Sequence, residues 1–205
     1  MNSDVSIIIT NYNYGKYITR CIRSCLNQHN HNPQVIVVDD GSSDNSLEKI
    51  VPFAKDILLI RNDKNMGVAE ASNIGIRAAK GQYVIRVDAD DFVNDNMIFF
   101  MRTYLTFNHD VFCVSCDYLL VDEYENLIER KCSEKDPISC GIMYRRDLLI
   151  DFGSYNPKMK HREEEELRKR LGDKYRIHHL CIPFYRYRMH KDNKTKSAEY
   201  EKWKI

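Results

Sequence analysis

No stretch of this sequence is apolar for long enough to cross a bilayer. Its start, MNSDVSIIIT, lacks the basic beginning and long apolar centre of a secretory leader, and reads instead as a first strand. An excess of one charge is missing too. The 31 Lys and Arg residues and 30 Asp and Glu residues leave a net charge of +1, so no global field draws the chain to nucleic acid. There is no Gly- or Pro-rich linker, no internal repeat and no low-complexity tract, so the 205 residues read as one domain. The seven cysteines are odd in number and scattered, as expected of free thiols in a reducing, cytoplasmic setting. Cys113 and Cys116 form a CxxC, but no second CxxC follows. Their surroundings, DVFCVSCDYLL, read as a strand, where residues three apart face opposite sides. Buried structural thiols are expected there rather than a zinc site. Cys21 and Cys25 lie four apart on the apolar face of a predicted helix and read as core.

What is present is an alternation. VSIIIT, QVIVVDD, ILLIRN and QYVIRVDADD read as buried strands. Between them lie helical patterns. YITRCIRSCLNQ spaces Ile18, Cys21, Ile22, Cys25 and Leu26 on one face. SSDNSLEKIVPFA does the same with Leu47, Ile50, Val51 and Ala54, after Ser43 and Asp44 as capping residues. GVAEASNIGIRAAKG is a helix closed by Gly81. This rhythm predicts an α/β fold with right-handed crossovers and a mainly parallel central sheet, helices covering both faces. Residues 1–115 form the regular half. Residues 116–190 form a smaller, mixed half. There DNMIFFMRTYLTF, just before it, is an apolar helix, DEYENLIE a polar hairpin, REEEELRKRLG a short charged helix ended by Gly172, and KYRIHHLCIPFYRYRMH one or two strands broken near Pro183. Residues 191–205 form a polar tail.

In an open parallel sheet, ligands bind beyond the carboxyl ends of the strands. Thr10, Asn11 and Tyr12 follow the first strand, Asp39 and Asp40 the second, and Asp88, Asp90 and Asp91 the fourth. Carboxylates packed this densely stay ionised together only around a shared positive partner. Hard oxygen ligands suit Mg²⁺ or Mn²⁺, and these cations commonly carry a phosphate. A single Asp after a strand is usually a turn former or cap; two acidic clusters on one rim point to a site.

Together, VSIIITNYNYGKYITRCIRSCLNQ, VIVVDDGSSDNS, NMGVAEASNIGIRAAKGQYVIRVDADD and FYRYRMH resemble the family 2 glycosyltransferases with the GT-A, Rossmann-like fold. The resemblance runs from about Val5 to His190. It implies inverting transfer of a sugar from a nucleotide diphosphate donor (UDP-, GDP- or dTDP-linked) to a hydroxyl of a saccharide or lipid-linked acceptor, in surface polysaccharide or glycoconjugate synthesis. It assigns Thr10 and Tyr12 to the nucleotide base, Asp40 to a hydrogen bond with that base, and Asp39 to its neighbourhood. Asn73 approaches the nucleotide. Asp88 and Asp90 form the DxD, the first reaching ribose or bound water, the second the metal, and His190 completes the Mn²⁺ or Mg²⁺ site. The nucleotidyltransferases, which share the sheet logic, resemble one another in a Gly-rich basic loop after the first strand; TNYNYGKY has none. The remaining rival is a non-catalytic subunit that binds the nucleotide sugar.

The sequence departs from the family pattern twice. Ser72 stands where members often carry Arg before the Asn, so donor phosphate charge falls to the metal or to another cation such as Arg188. The family's acidic pair is replaced by Glu163, Glu164, Glu165 and Glu166. Alignment through Leu167 and Arg170 puts the catalytic base at Glu164, with Glu163 beside it for the acceptor. Helical geometry agrees, since Glu163 and Glu164 lie four and three residues before Leu167, on its side of the helix, while Glu165 points toward solvent. The tail, KDNKTKSAEYEKWKI, mixes Lys with one Trp and adds the expectation of peripheral contact at the inner face of a membrane.

Overall fold

The computed structural model describes residues 4–191 and 193. The tail otherwise lies outside the described residues, and so does the expected membrane contact. Among the described residues no helix is long and apolar enough to cross a membrane.

Four parallel strands open the chain: β1 (Val5–Asn11), β2 (Gln34–Asp39), β3 (Ile57–Arg61) and β4 (Tyr83–Asp88), in the order β3-β2-β1-β4. The crossovers are α1 (Ile18–Leu26), α2 (Ser46–Ile50) and α3 (Val68–Ala78). Register sets Thr10 beside Asp88 and Asn11 beside Asp39, which brings the acid-bearing strand ends to one rim. The mixed half extends the same sheet. It contributes β5 (Phe92–Val93), α4 (Met97–Phe107), β6 (Cys113–Val121), β7 (Leu127–Lys131), β8 (Ile142–Arg145), α5 (Arg146–Asp151), α6 (Glu163–Leu171) and β9 (Ile177–Arg188). The full order is β3-β2-β1-β4-β8-β6-β9-β5, with β7 beside β6.

Strand alternation sorts the core. Ile7, Ile9, Val35, Val37, Ile85 and Val87 pack with α1 and α4, whereas Ile8, Ile36, Val38 and Val84 pack with α3, Leu149 of α5 and Leu167 of α6. Each such aliphatic side chain contributes about 1.5–3 kcal/mol on burial. Continuing the alternation past Val84 puts Arg86 and Asp88 on the α3 and α6 face. Cys113 and Cys116 fall in opposite core clusters, as the strand reading requires. At Gly75 the contact between α3 and β1 is so close that a Cβ would stand 2.4 Å from Ile8 Cγ2.

Two local expectations fail, and the choice between one and two strands near Pro183 is settled. α2 stops at Ile50 and a 3₁₀ turn carries Val51–Phe53, so Val51 and Ala54 are exposed and Leu47 only half-buried. Pro52 cannot donate to a continuing helix. Gly81 does not close α3, whose C-cap is Ala79; instead a Cβ there would meet Ser6 N at 2.7 Å, where the chain crosses β1. β9 runs through Pro183 as one strand. Its pairing with β6 shifts there, from Cys116 opposite Leu180 to Asp117 opposite Pro183.

Candidate active site

A cleft open to solvent lies over the carboxyl ends of β1, β2 and β4. One wall comes from Thr10, Asn11, Tyr12 and Tyr14, with Asp40 at the β2 end and Val68 and Ala71 from α3. The floor is Arg86, Asp88, Asp90 and Asp91. The opposite wall is the basic run Lys160, His161 and Arg162 with Glu163. Thr10, Tyr12, Asp40, Asp88 and Asp90 therefore all meet at one place.

Asp90 Oδ2 and His190 Nε2 are 2.9 Å apart, and the His190 side chain is fully buried against the rings of Tyr14 and Tyr17. Asp91 accepts a hydrogen bond from Arg188 N–H at 2.8 Å and from Tyr185 Oη–H at 2.7 Å. Even so, burial, and then the charges of Asp90 and Asp88, push its carboxyl well above the ordinary range. Such a cluster calls for added positive charge. A divalent cation among Asp88, Asp90 and His190 would supply it, and mostly hard oxygen donors with one imidazole fit Mn²⁺ or Mg²⁺. The donor atoms of this floor found within 4.8 Å of one another, among the described residues, are one each from Asp88, Asp91 and Cys140.

The cation already built into the floor is Arg86. Its side chain is only 4% exposed, with Nη1 2.7 Å from Glu163 Oε1 and Nε 3.1 Å from Asp88 Oδ1. The Nε approach is an ion contact only, for that N–H has no hydrogen-bond partner among the described residues. Burial works against the guanidinium charge, but Asp88 and Glu163 outweigh it. Nη1 also reaches Ser72 Oγ at 3.5 Å. The position that lacks the family's arginine is thus adjoined by an arginine from the next strand. A charged residue inside the apolar run VIRVD, two before Asp88, was the available signal. The run Lys160-His161-Arg162 ahead of α6 was another.

Three expected binding residues sit elsewhere. Arg188 does not line the cleft. Its guanidinium is buried between Tyr17 and Phe92 and donates to Asp90 O, Glu123 O and Glu125 Oε1, so it is engaged inside the protein rather than presented to a phosphate. Asn73 is turned to the chain itself: its amide donates to Tyr155 O and accepts from Tyr155 N–H, clasping α3 to the segment before α6. Asp39 is buried beneath the rim, accepting from Asn11 Nδ2 at 2.8 Å and Ser42 N–H at 3.3 Å. Asp40 remains on the rim, where Asn62 Nδ2 and the N–H groups of Met66 and Gly67 fix its carboxylate.

The two glutamates exchange places relative to expectation. Glu163 lines the cleft, whereas Glu164 points beneath it, receiving Tyr144 Oη–H at 3.1 Å and Arg168 Nε–H at 3.0 Å. Consecutive helical residues diverge by about 100°, so only one can face the floor. Arg162, at φ 58°, turns the chain into α6 so that the first residue does. Burial pushes the Glu164 carboxyl up to about 7, against the pull of Arg168 and Arg86.

Comparison with known proteins agrees with this geometry. Residues 6–195 match the model of the family described as glycosyl transferase family 2. Glycosyltransferase GlyG of Streptococcus pneumoniae is 40% identical over 101 residues, 48% of this chain and 34% of that protein. The chain thus spans about a third of the length of that relative. S. aureus TarS 1-349 in complex with UDP-GlcNAc superposes with a TM-score of 0.80 at 21% identity, covering 98% of this chain and 64% of the other. The mannosyltransferase PcManGT of Pyrobaculum calidifontis, in complex with GDP-Man and Mn²⁺, gives a TM-score of 0.74 at 18% identity over 94% of this chain and 59% of the other. A GT-A fold with its acids gathered on the rim, and a family match over nearly the whole length, lead to one assignment: the chain belongs to glycosyl transferase family 2.

Proposed function

We propose that this chain transfers a sugar, with inversion, from a nucleotide diphosphate donor to an acceptor hydroxyl, with Mn²⁺ or Mg²⁺ held by Asp88, Asp90 and His190. The observation that carries the reading is the Arg86 bridge. It sets Glu163, the one glutamate of its run that lines the cleft, across from the acidic floor that ends β4. Thr10, Tyr12 and Asp40 form the wall for the nucleotide base. A bound cation would supply charge neutralisation for the departing nucleoside diphosphate. Arg86, Lys160 and Arg162, the last also paired with Glu165, put further cationic groups on the same cleft. Glu163 takes the proton of the acceptor hydroxyl as that oxygen attacks the anomeric carbon from the face opposite the leaving group. Holding both substrates in one cleft removes much of the entropic barrier.

UDP-GlcNAc in TarS and GDP-Man with Mn²⁺ in PcManGT support the donor class and the cation. Surface polysaccharide or glycoconjugate synthesis at the cytoplasmic face of a membrane fits a donor of this kind. The test is a panel of UDP-, GDP- and dTDP-sugars with saccharide acceptors, with and without Mn²⁺. Nucleoside diphosphate release and the anomeric configuration of the product are read out. Metal-dependent transfer giving an inverted linkage is expected. Donor binding without turnover across the panel would favour the non-catalytic subunit.

A further inference from the structure

Away from the cleft, β6, β7 and β9 bring an aspartate, a cysteine and a histidine together. One donor atom each from Asp117, Cys132 and His179 lie within 4.8 Å of one another. None of the three lines the cleft. Asp117 and His179 are enclosed, with side chains 4% and 10% exposed, while Cys132 is half-buried and carries a free thiol. The irregular pairing of β9 makes this possible. Cys181 and Ile182 are extra residues on β9 between the pairs Cys116–Leu180 and Asp117–Pro183. A bulge of this kind re-aims neighbouring side chains.

Each group is also oriented from behind. Asp117 Oδ2 accepts from Arg130 Nη2 at 2.7 Å, and Oδ1 accepts from Ser133 N–H at 3.3 Å. The carbonyl of Cys132 accepts from Lys135 N–H at 3.1 Å and Asp136 N–H at 2.9 Å, which fixes the turn that presents its sulfur. His179 Nδ1 faces Cys181 Sγ at 3.8 Å and Glu134 Oε2 at 3.9 Å, leaving Nε2 toward Asp117 Oδ1 at 2.6 Å. A metal-bound imidazole commonly has a carboxylate or other acceptor on its second nitrogen.

We infer that Asp117, Cys132 and His179 form a second cation site, for a borderline ion of the Zn²⁺ class, at the base of the β6–β7 hairpin. Thiolate, imidazole and carboxylate together are a zinc donor set, and three protein ligands leave one position for water. A tetrahedral ion needs its ligand atoms roughly 3.3 Å apart at bond lengths near 2 Å, so Asp117 and His179 must separate by under about 1 Å to share one. A thiolate ligand disfavours Mg²⁺ and Mn²⁺, so this site and the cleft select different metals. The ion would tie β7 to β9. The hairpin so fixed carries Glu123 and Glu125, which hold Arg188 beside the DxD turn. The inference stands independently of the proposed transfer reaction.

Metal-stripped protein titrated with Co²⁺ tests it, because a cobalt–thiolate bond gives a charge-transfer absorption. Cys140, near Asp88 and Asp91, and Cys181, beside His179, are other thiols able to produce one, so Cys132→Ser, Cys140→Ser and Cys181→Ser are compared. The absorption should develop in wild type, in Cys140→Ser and in Cys181→Ser, be abolished in Cys132→Ser, and disappear when Zn²⁺ is added in competition. His179→Gln, which leaves these thiols in place, should weaken the apparent Co²⁺ affinity at least about tenfold. An absorption that survives Cys132→Ser, that depends on Cys140 or Cys181, or that never forms in wild type would overturn the site.

Discussion

Asp90 and His190 are separated by 100 positions in the chain and by 2.9 Å in space, joined at the point where β9 ends beside the turn after β4. The contact brings the last described segment to the acidic floor, where the proposed cation would sit. Asp90→Asn and His190→Ala should each lower Mn²⁺-dependent affinity for nucleoside diphosphate by tenfold or more, with the fold kept. Calorimetric titrations with and without Mn²⁺ measure this. Unchanged affinity in both variants removes the metal assignment.

The divergence of Glu163 and Glu164 gives a sharper test. Glu163→Gln should bind donor and metal normally and lose on the order of 10²-fold or more in transfer rate. Glu164→Gln, altered beneath the cleft, should retain most activity. Steady-state rates at saturating donor decide between them; the reverse ranking returns the base to Glu164.

Glu164 also makes stability depend on pH. Its carboxyl rises from 4.5 to about 7 in the folded chain. Between those values the folded state holds a proton that the unfolded chain has released, so this contribution is complete below about 4.5 and is lost as pH rises through 7. Its ceiling is roughly 3 kcal/mol. In Glu164→Gln the contribution is absent. The melting temperature of the variant relative to wild type should therefore climb from pH 5 to pH 8, and a constant difference would contradict the argument.

Arg86 holds two carboxylates, Asp88 in the floor and Glu163 in the wall. Arg86→Leu leaves Asp88 and Glu163 without their buried partner and should cost about 3–5 kcal/mol, read as a lowered denaturant midpoint. Arg86→Leu combined with Glu163→Leu should recover part of that loss while remaining inactive. Arg86→Lys keeps the charge but not the two-point geometry, so it should be the milder single change. Equal stability of wild type and Arg86→Leu would show that the bridge holds nothing together.

The parallel half was legible because β1, β2 and β4 are buried on both faces and announce themselves as nearly unbroken apolar runs, as VSIIIT does. The rim acids followed from topology alone. The misjudged residues depend on contacts distant in sequence. Nothing local to Arg188 shows that Tyr17 and Phe92 enclose it. Asn73 is claimed by Tyr155, 82 positions away. Which glutamate meets the cleft is settled by the path of the chain into α6 through Arg162, where φ is positive, and periodicity carries no information about that path. Arg86 was hidden differently, by sitting in a run read for its apolar members.

Arg188 binds the main chain at Asp90 with one nitrogen and the tip of the β6–β7 hairpin with the others. A displacement of either is therefore transmitted to the other through one rigid planar group. Loops at the mouth of a cleft ordinarily fluctuate separately; here the hairpin swings free of the turn only if the Arg188 bonds break. Any partner that grips its exposed Tyr124 or Leu127 pulls on the acidic turn as well.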